Sequence, residues 1–353
     1  MSNLIPDAVV EWLLEPDNPP VRYLTLTELL GHAASAPDVE EARDRLNDYG
    51  PTQAILSQVE QFQDDDAAKS YWKYTGKYWQ LIFLGQYRAD GRDPRIQGIA
   101  ERLIESRDWV LIPQGGQCLT ANLLSALTLL GYGEHPVVRD ATVGLADRLR
   151  ADGGIDCEVM EYSLLPLCYM AQPKLLLCFA GQAGLRRHPS VSAAIEMLCA
   201  NLVAHEIFVY VPGNRKEWMT VLEGKPPKDE LGGATVKSWM RRQKEKFLAE
   251  KGIGKPTEKP GWLKFGFPLH YNSDLLEALY ALALGGAAPS ESLGRPLDIL
   301  RGKMTKDGRW LLENTLNGKM RVDVETKGKP SKWLTYRAWY VLRHFAAGLG
   351  TEA

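Results

Sequence analysis

The feature that most constrains this chain is an internal repeat. A proline is followed by an aliphatic residue at +2, Ala or Ile at +5 and Leu at +9. The pattern occurs as Pro37, Val39, Ala42, Leu46, then as Pro94, Ile96, Ile99, Leu103, then as Pro136, Val138, Ala141, Leu145, and last as Pro189, Val191, Ala194, Leu198. The prolines stand 57, 42 and 53 residues apart. Proline suits the first turn of a helix, where the N–H it lacks would be unpaired anyway, and the apolar spacing that follows is helical. Each copy therefore predicts an amphipathic helix that starts at its proline. A more apolar segment ending in glycine precedes each of the last three: Tyr78 to Gly85, Leu119 to Gly131 and Lys174 to Gly181. Tyr23 to Gly31 stands ahead of the first copy, and Asp274 to Gly285 opens a fifth unit. The closing glycines predict left-handed C-caps. A degenerate outer helix through Leu293, Leu297 and Leu300 and a final helix from Trp333 to Phe345 complete the pattern. Strand signals are almost absent.

Repeating helix pairs either stack as an open superhelix or close into a ring around a cavity. An open solenoid would show a more polar concave face, whereas the inner segments here are nearly all apolar. The reading is an all-α chain, an α/α-toroid of about five to six helix hairpins, forming a single domain over residues 1–353. The 42 Lys and Arg against 44 Asp and Glu exclude the global basicity of a general nucleic-acid binder. The longest apolar stretch, Ser273 to Ala288, carries Asp274 and Glu277 and is too short for a membrane span. Met1 to Val10 contains Asp7 and no basic region, so no secretory signal is expected. Five cysteines argue for thiols or metal ligands in a reducing compartment, and the expected localisation is cytoplasmic. Ten Trp and 14 Tyr beside eight Phe fit a lined cavity or ordinary core packing.

Asp152-Gly153-Gly154 and Asp307-Gly308-Arg309-Trp310, each after an outer helix, resemble the loop motifs of the prenyltransferase and squalene-oxidase repeat. Three further stretches are similar to a bacterial subgroup of stand-alone squalene-cyclase-like proteins: Leu312-Glu313-Asn314 through Trp333, Trp262 through Glu277, and Trp12-Leu13-Leu14 with Arg22-Tyr23. The resemblance covers nearly the whole chain and implies the α/α-toroid of terpenoid cyclases and protein prenyltransferases. It implies an enzyme of transferase or cyclase/lyase type acting on an apolar, isoprenoid-like small molecule. Two departures limit the chemistry. Asp64-Asp65-Asp66 is followed by Ala67, so the Asp-x-Asp-Asp that protonates an alkene is missing, and no Asp-Asp-x-x-Asp gathers magnesium around a diphosphate.

Cys118 opens the third inner segment, Cys157 follows the Asp-Gly-Gly loop, and Cys168 precedes the fourth inner segment. In a ring these would share one rim, and three converging thiolates suit Zn²⁺, with Asp156, His205, His270 or water as fourth ligand. Three ordinary thiols are the alternative. Cys178 and Cys199 fall in apolar helices and read as core. His270 and Tyr271, just ahead of Asp274, form the candidate catalytic group. Asp274 is either a general acid or base, or the carboxylate that stabilises a helix N-terminus.

The heads of the inner segments supply candidate substrate-binding residues: Arg22, Tyr23, Lys77, Trp79, Asn122, Lys332, Trp333 and Arg337. Converging helix N-termini with these cations would favour a phosphate, diphosphate or carboxylate head on an apolar tail. Residues 213–260 form a basic insertion with 12 Lys and Arg against seven Asp and Glu, leaving −7 for the remainder. Val236 to Lys251 reads as a helix there, in a segment without a core of its own. A lid, an arm for a protein partner and a solvated surface excursion all fit it. The alternative function for the whole chain is a non-catalytic scaffold that binds a ligand or partner.

Overall fold

A computed structural model describes residues 4–58, 73–106, 116–151, 169–210, 215–222, 236–252 and 256–347. The helices are α1 (Asp7–Leu13), α2 (Pro19–Leu24), α3 (Pro37–Asp44), α4 (Gly50–Leu56), α5 (Lys77–Gln86), α6 (Pro94–Ser106), α7 (Gly116–Leu127), α8 (Pro136–Ala151), α9 (Ala171–Gly181), α10 (Pro189–Ala204), α11 (Arg215–Leu222), α12 (Val236–Lys251), α13 (Leu275–Gly285), α14 (Gly294–Gly302) and α15 (Lys332–Ala347). Wider π-type turns extend α2 through Thr25–Leu29 and α7 through Thr128–Tyr132. Among the described residues the strand content is one two-residue antiparallel pair, β1 (Val209–Tyr210) with β2 (Thr257–Glu258). The chain is all-α.

All four repeat prolines stand at the first residue of a helix, α3, α6, α8 and α10. The +2 aliphatics Val39, Ile96, Val138 and Val191 are fully buried, as are Leu145 and Leu198 at +9. The repeat is thus the inward stripe of an outer helix set. The inner set is α2, α5, α7, α9, α13 and α15. Helix α5 packs on α7, α7 on α9, α9 on α13, α13 on α15, and α15 on α2 and its π-turn. The outer helices lie against these, α3 on α2, α8 on α7, α10 on α9 and α13, and α14 on α13.

The two ends of the sequence meet. Lys332 at the start of α15 is buried and pairs with Glu15 at 2.8 Å and with Asp17. Arg309 lies over the Trp12 ring at 4.1 Å. Gly308, at φ 71°, sits so close to α1 that a Cβ would meet Val9 at 2.9 Å, and its carbonyl accepts from Trp339 Nε1 at 2.9 Å. Glycine serves here both for its backbone conformation and for that close approach. The loop Asp307-Gly308-Arg309-Trp310 therefore fastens the first helix to the last. Asp152-Gly153-Gly154 and Asp64-Asp65-Asp66 lie outside the described residues.

Two sequence expectations change. Gly31 and Gly131 are left-handed as expected, but the left-handed cap of α13 falls on Gly286, one residue beyond Gly285. Gly85 and Gly181 have ordinary negative φ. Gly85 is instead the point where α5 crosses α7, since a Cβ there would meet the Ala126 Cα at 2.7 Å. The insertion also has a small core. Trp218 on α11 and Phe247 on α12 are buried against each other at 5.5 Å, with Val221 and Leu248 beside them, apart from the main core. The β1–β2 pair draws together the two ends of this excursion, so it leaves and rejoins the body at one place.

Candidate functional site

A cavity of ≈ 260 Å³ lies among the inner helices, and all six line it in chain order. Leu24 and Glu28 come from α2 and its turn, Ile82 and Gln86 from α5, Asn122 and Ala126 from α7. Leu177 and Ala180 come from α9, Glu277 and Tyr280 from α13, Trp333 and Arg337 from α15. The walls are largely aliphatic and aromatic, with two polar groups of residues set into them.

The deeper group is buried charge. Lys174 of α9 and Glu277 of α13 form an ion pair in which both side chains are about as inaccessible as the core leucines, 1% and 0% exposed. Lys174 satisfies Glu277 Oε1, while Glu277 Oε2 has no hydrogen-bond partner among the described residues. Arg337 is 6% exposed and forms no ion pair with any described residue. Its guanidinium lies over the rings of Phe267 at 5.0 Å and Tyr280 at 5.5 Å, and its Nη1 is buried without a hydrogen bond. Burial lowers its pKa, against the pull of Tyr280, Glu277 and Asp274. A guanidinium nevertheless stays protonated in proteins.

The second group sits where Glu28 meets α15. Tyr336 donates to Glu28, Arg88 lies 3.6 Å from the same carboxylate, and the Tyr280 and Tyr336 hydroxyls are 3.4 Å apart. Burial raises Tyr280 to about 12, and it lifts Tyr336 well above its ordinary value. Both phenols are therefore neutral hydrogen-bonding groups at any physiological pH.

A separate, more polar cavity of ≈ 370 Å³ lies beyond the segment Phe267 to His270, and Leu269 lines both spaces. Gln86 fixes Leu269 by accepting from its N–H at 2.7 Å and donating to its carbonyl at 2.8 Å. Lys264, His270, Asn314 and Asp274 line this second space. Asn272 N–H donates to His270 Nδ1 at 3.2 Å, which leaves the ring proton on Nε2. Burial, with Lys174 and Lys319 nearby, lowers His270 to about 3, so the ring is neutral. Asp274 caps α13, with Oδ1 accepting from Glu277 N–H at 2.7 Å and Oδ2 from Gly266 N–H at 2.8 Å. Burial and the adjacent Glu277 raise its pKa to about 7, more than those two N–H bonds and Lys174 lower it.

The structure distributes the expected site residues unevenly. Asn122, Trp333 and Arg337 line the central cavity, where Trp333 stacks on Phe267 at 4.3 Å and donates to the Tyr49 hydroxyl at 3.1 Å. Arg22 turns away to the Leu14 carbonyl at 2.7 Å and Glu41 at 3.7 Å, and Lys332 is held by Glu15 and Asp17. Tyr23 packs between the main core and a small cluster around Leu26 and Val39. Lys77 lies over Tyr78 at 5.6 Å, and Trp79 is buried against Tyr74 and Phe83. His270 and Asp274 come together on the second cavity, and Tyr271 is half-buried against the core beside them. Cys118 is half-buried on α7, whereas Cys157, Cys168 and Asp156 lie outside the described residues. Among the described residues no three His, Cys, Asp or Glu side chains gather as a metal site. Lys174, Glu277, Glu28 and Arg88 are additions by the structure. The first two had a signal, since each is the lone charge on a nearly all-apolar helix, near its start.

Comparison with protein-family models, curated proteins and solved structures finds no match to this chain.

Proposed function

We propose that this chain is an α/α-toroid of the terpenoid-cyclase and protein-prenyltransferase type. In this reading the central cavity receives a small apolar molecule with an anionic or carbonyl head, the substrate of a transferase or cyclase-like reaction. One observation carries the reading: six inner helices contribute in chain order to one apolar cavity that contains an unpartnered guanidinium, Arg337. A buried polar group without a partner costs free energy that a ligand acceptor would recover. Volume sets the scale. Benzene fills an apolar cavity of about 150 Å³, so ≈ 260 Å³ takes a body of about ten non-hydrogen atoms. A thirty-carbon polyene is too large by roughly threefold, and Asp274, a carboxylic acid with a raised pKa, lines the other space. Both points argue against protonation-driven cyclisation of a long polyene.

The non-catalytic alternative has its own support, because the candidate catalytic residues His270 and Asp274 line the polar cavity rather than the apolar one. Zinc at Cys118, Cys157 and Cys168 belongs to the enzyme reading, and Cys118 is the one of the three donors that is described. Native mass spectrometry of the protein as purified tests the cavity. A retained small molecule, lost from Leu177→Trp, which fills the cavity from α9, supports it. The same adduct on both proteins, or an exchangeable surface adduct, rejects it.

A further inference from the structure

Four buried polar atoms on residues that line the central cavity have no hydrogen bond among the described residues, Ser125 Oγ, Thr128 Oγ1, Glu277 Oε2 and Arg337 Nη1, and the two charged ones are chemically opposite. Arg337 Nη1 is a donor and Glu277 Oε2 an acceptor, both without a hydrogen bond among the described residues, on the adjacent helices α15 and α13. They do not satisfy one another, since no ion pair within 4 Å joins them. Unpaired buried charged groups are the costliest to leave so, and two lining one cavity call for a partner that serves both.

Charge narrows the partner. Lys174 and Glu277 cancel each other, which leaves the Arg337 guanidinium as one uncompensated positive charge in the buried cluster. The Arg88 charge at the other end is offset by Glu28, and Arg186, an exposed lining residue, is held by the Ala180 and Leu284 carbonyls at 2.8 and 2.6 Å. A diphosphate brings about three negative charges at neutral pH, and desolvating them against one buried cation would be costly. A single carboxylate balances the guanidinium and matches its planar fork. Glu277 Oε2 accepts only, so the ligand must also present a hydrogen-bond donor near its carboxylate.

Resting on the cavity reading above, we infer that the ligand is a compact hydroxy-monocarboxylate, its carboxylate held by Arg337 and its hydroxyl by Glu277, with its apolar body against Leu24, Leu177 and Leu284. The aromatic support under Arg337 from Phe267 and Tyr280 fixes the guanidinium plane without consuming its donors. This makes Arg337 and Glu277 specificity residues for the head group and separates the site from one built for isoprenoid diphosphates.

Isothermal titration at pH 6.5 of the full chain with four probes tests this: β-hydroxyoctanoate, octanoate, octan-1-ol and geranyl diphosphate. The expected order is hydroxyoctanoate, then octanoate about tenfold weaker for the lost hydroxyl bond, then octanol weaker again by about tenfold or more. Geranyl diphosphate should bind more weakly than octanoate. Arg337→Gln should abolish the preference for octanoate over octanol. If that variant does not fold, the four-probe order on the unmodified protein decides alone. Octanol equal to octanoate, or geranyl diphosphate tightest, would overturn the carboxylate assignment and leave the cavity reading standing. Failure of every probe, octanol included, would remove the cavity reading and this inference with it.

Discussion

Asp274 offers the most quantitative test of the buried polar layer. Its carboxyl is buried and its pKa is raised from 3.8 to about 7. For an acid this shift means that the folded state holds a proton the unfolded chain has already released. Stability therefore falls as pH rises from about 4 to about 7, by about 1.4 kcal/mol per pH unit and about 4 kcal/mol in all. Asp274→Asn removes that dependence. Asn still caps α13 by accepting from Glu277 N–H, but its amide nitrogen cannot accept from Gly266 N–H, a loss of about 1–3 kcal/mol at every pH. The variant should then be less stable than the parent near pH 4 and more stable above pH 7, with the two curves crossing between. Urea unfolding of both proteins at half-unit steps from pH 4.5 to 7.5 measures this, and contributions from other groups cancel in the difference. Parallel curves across the window would show that Asp274 ionises normally and that burial does not govern it.

Other outcomes follow from the same geometry. Lys174→Met and Glu277→Leu should each cost about 3–5 kcal/mol by stranding a buried charge, while the double variant should cost far less than their sum, as read by a denaturant double-mutant cycle. The His270 imidazole, held near 3, should show no proton-NMR titration between pH 5 and 8; an inflection near its ordinary value would mean that it is exposed to water. Gly85→Ala places a methyl against the Ala126 backbone and should lower stability by about 1–3 kcal/mol in thermal unfolding. Trp218→Ala should open the α11–α12 hairpin to limited proteolysis while shifting the main thermal transition by no more than about 2 °C. Stoichiometric zinc in the purified protein, lost in Cys118→Ser, is the outcome that the three-cysteine metal reading requires.

The helical frame was legible because its signals are local. A proline followed by apolar residues at +2, +5 and +9 specifies both a helix start and a buried face, and α3, α6, α8 and α10 obey it. The site was legible only in part, because cations at helix heads have more than one place to go. Arg22 and Lys332 found acceptors or carboxylates on neighbouring segments, whereas Arg337, a turn farther into α15, found aromatic faces and the cavity. The Lys174–Glu277 pair joins residues 103 apart in sequence, and only helix packing brings them together. Glycines closing apolar segments were ambiguous for a similar reason. Gly131 serves its own backbone conformation, while Gly85 serves the helix that crosses it.

As proposed, the cavity among the inner helices binds a small carboxylate at Arg337. A crystal structure grown with ω-bromooctanoate and measured at the bromine edge tests it most directly. Carboxylate density is expected on the Arg337 guanidinium, with an anomalous bromine peak among Leu24, Leu129 and Leu284. Bromine in the polar space beside Lys264 and His270, or only on the protein surface, would contradict it.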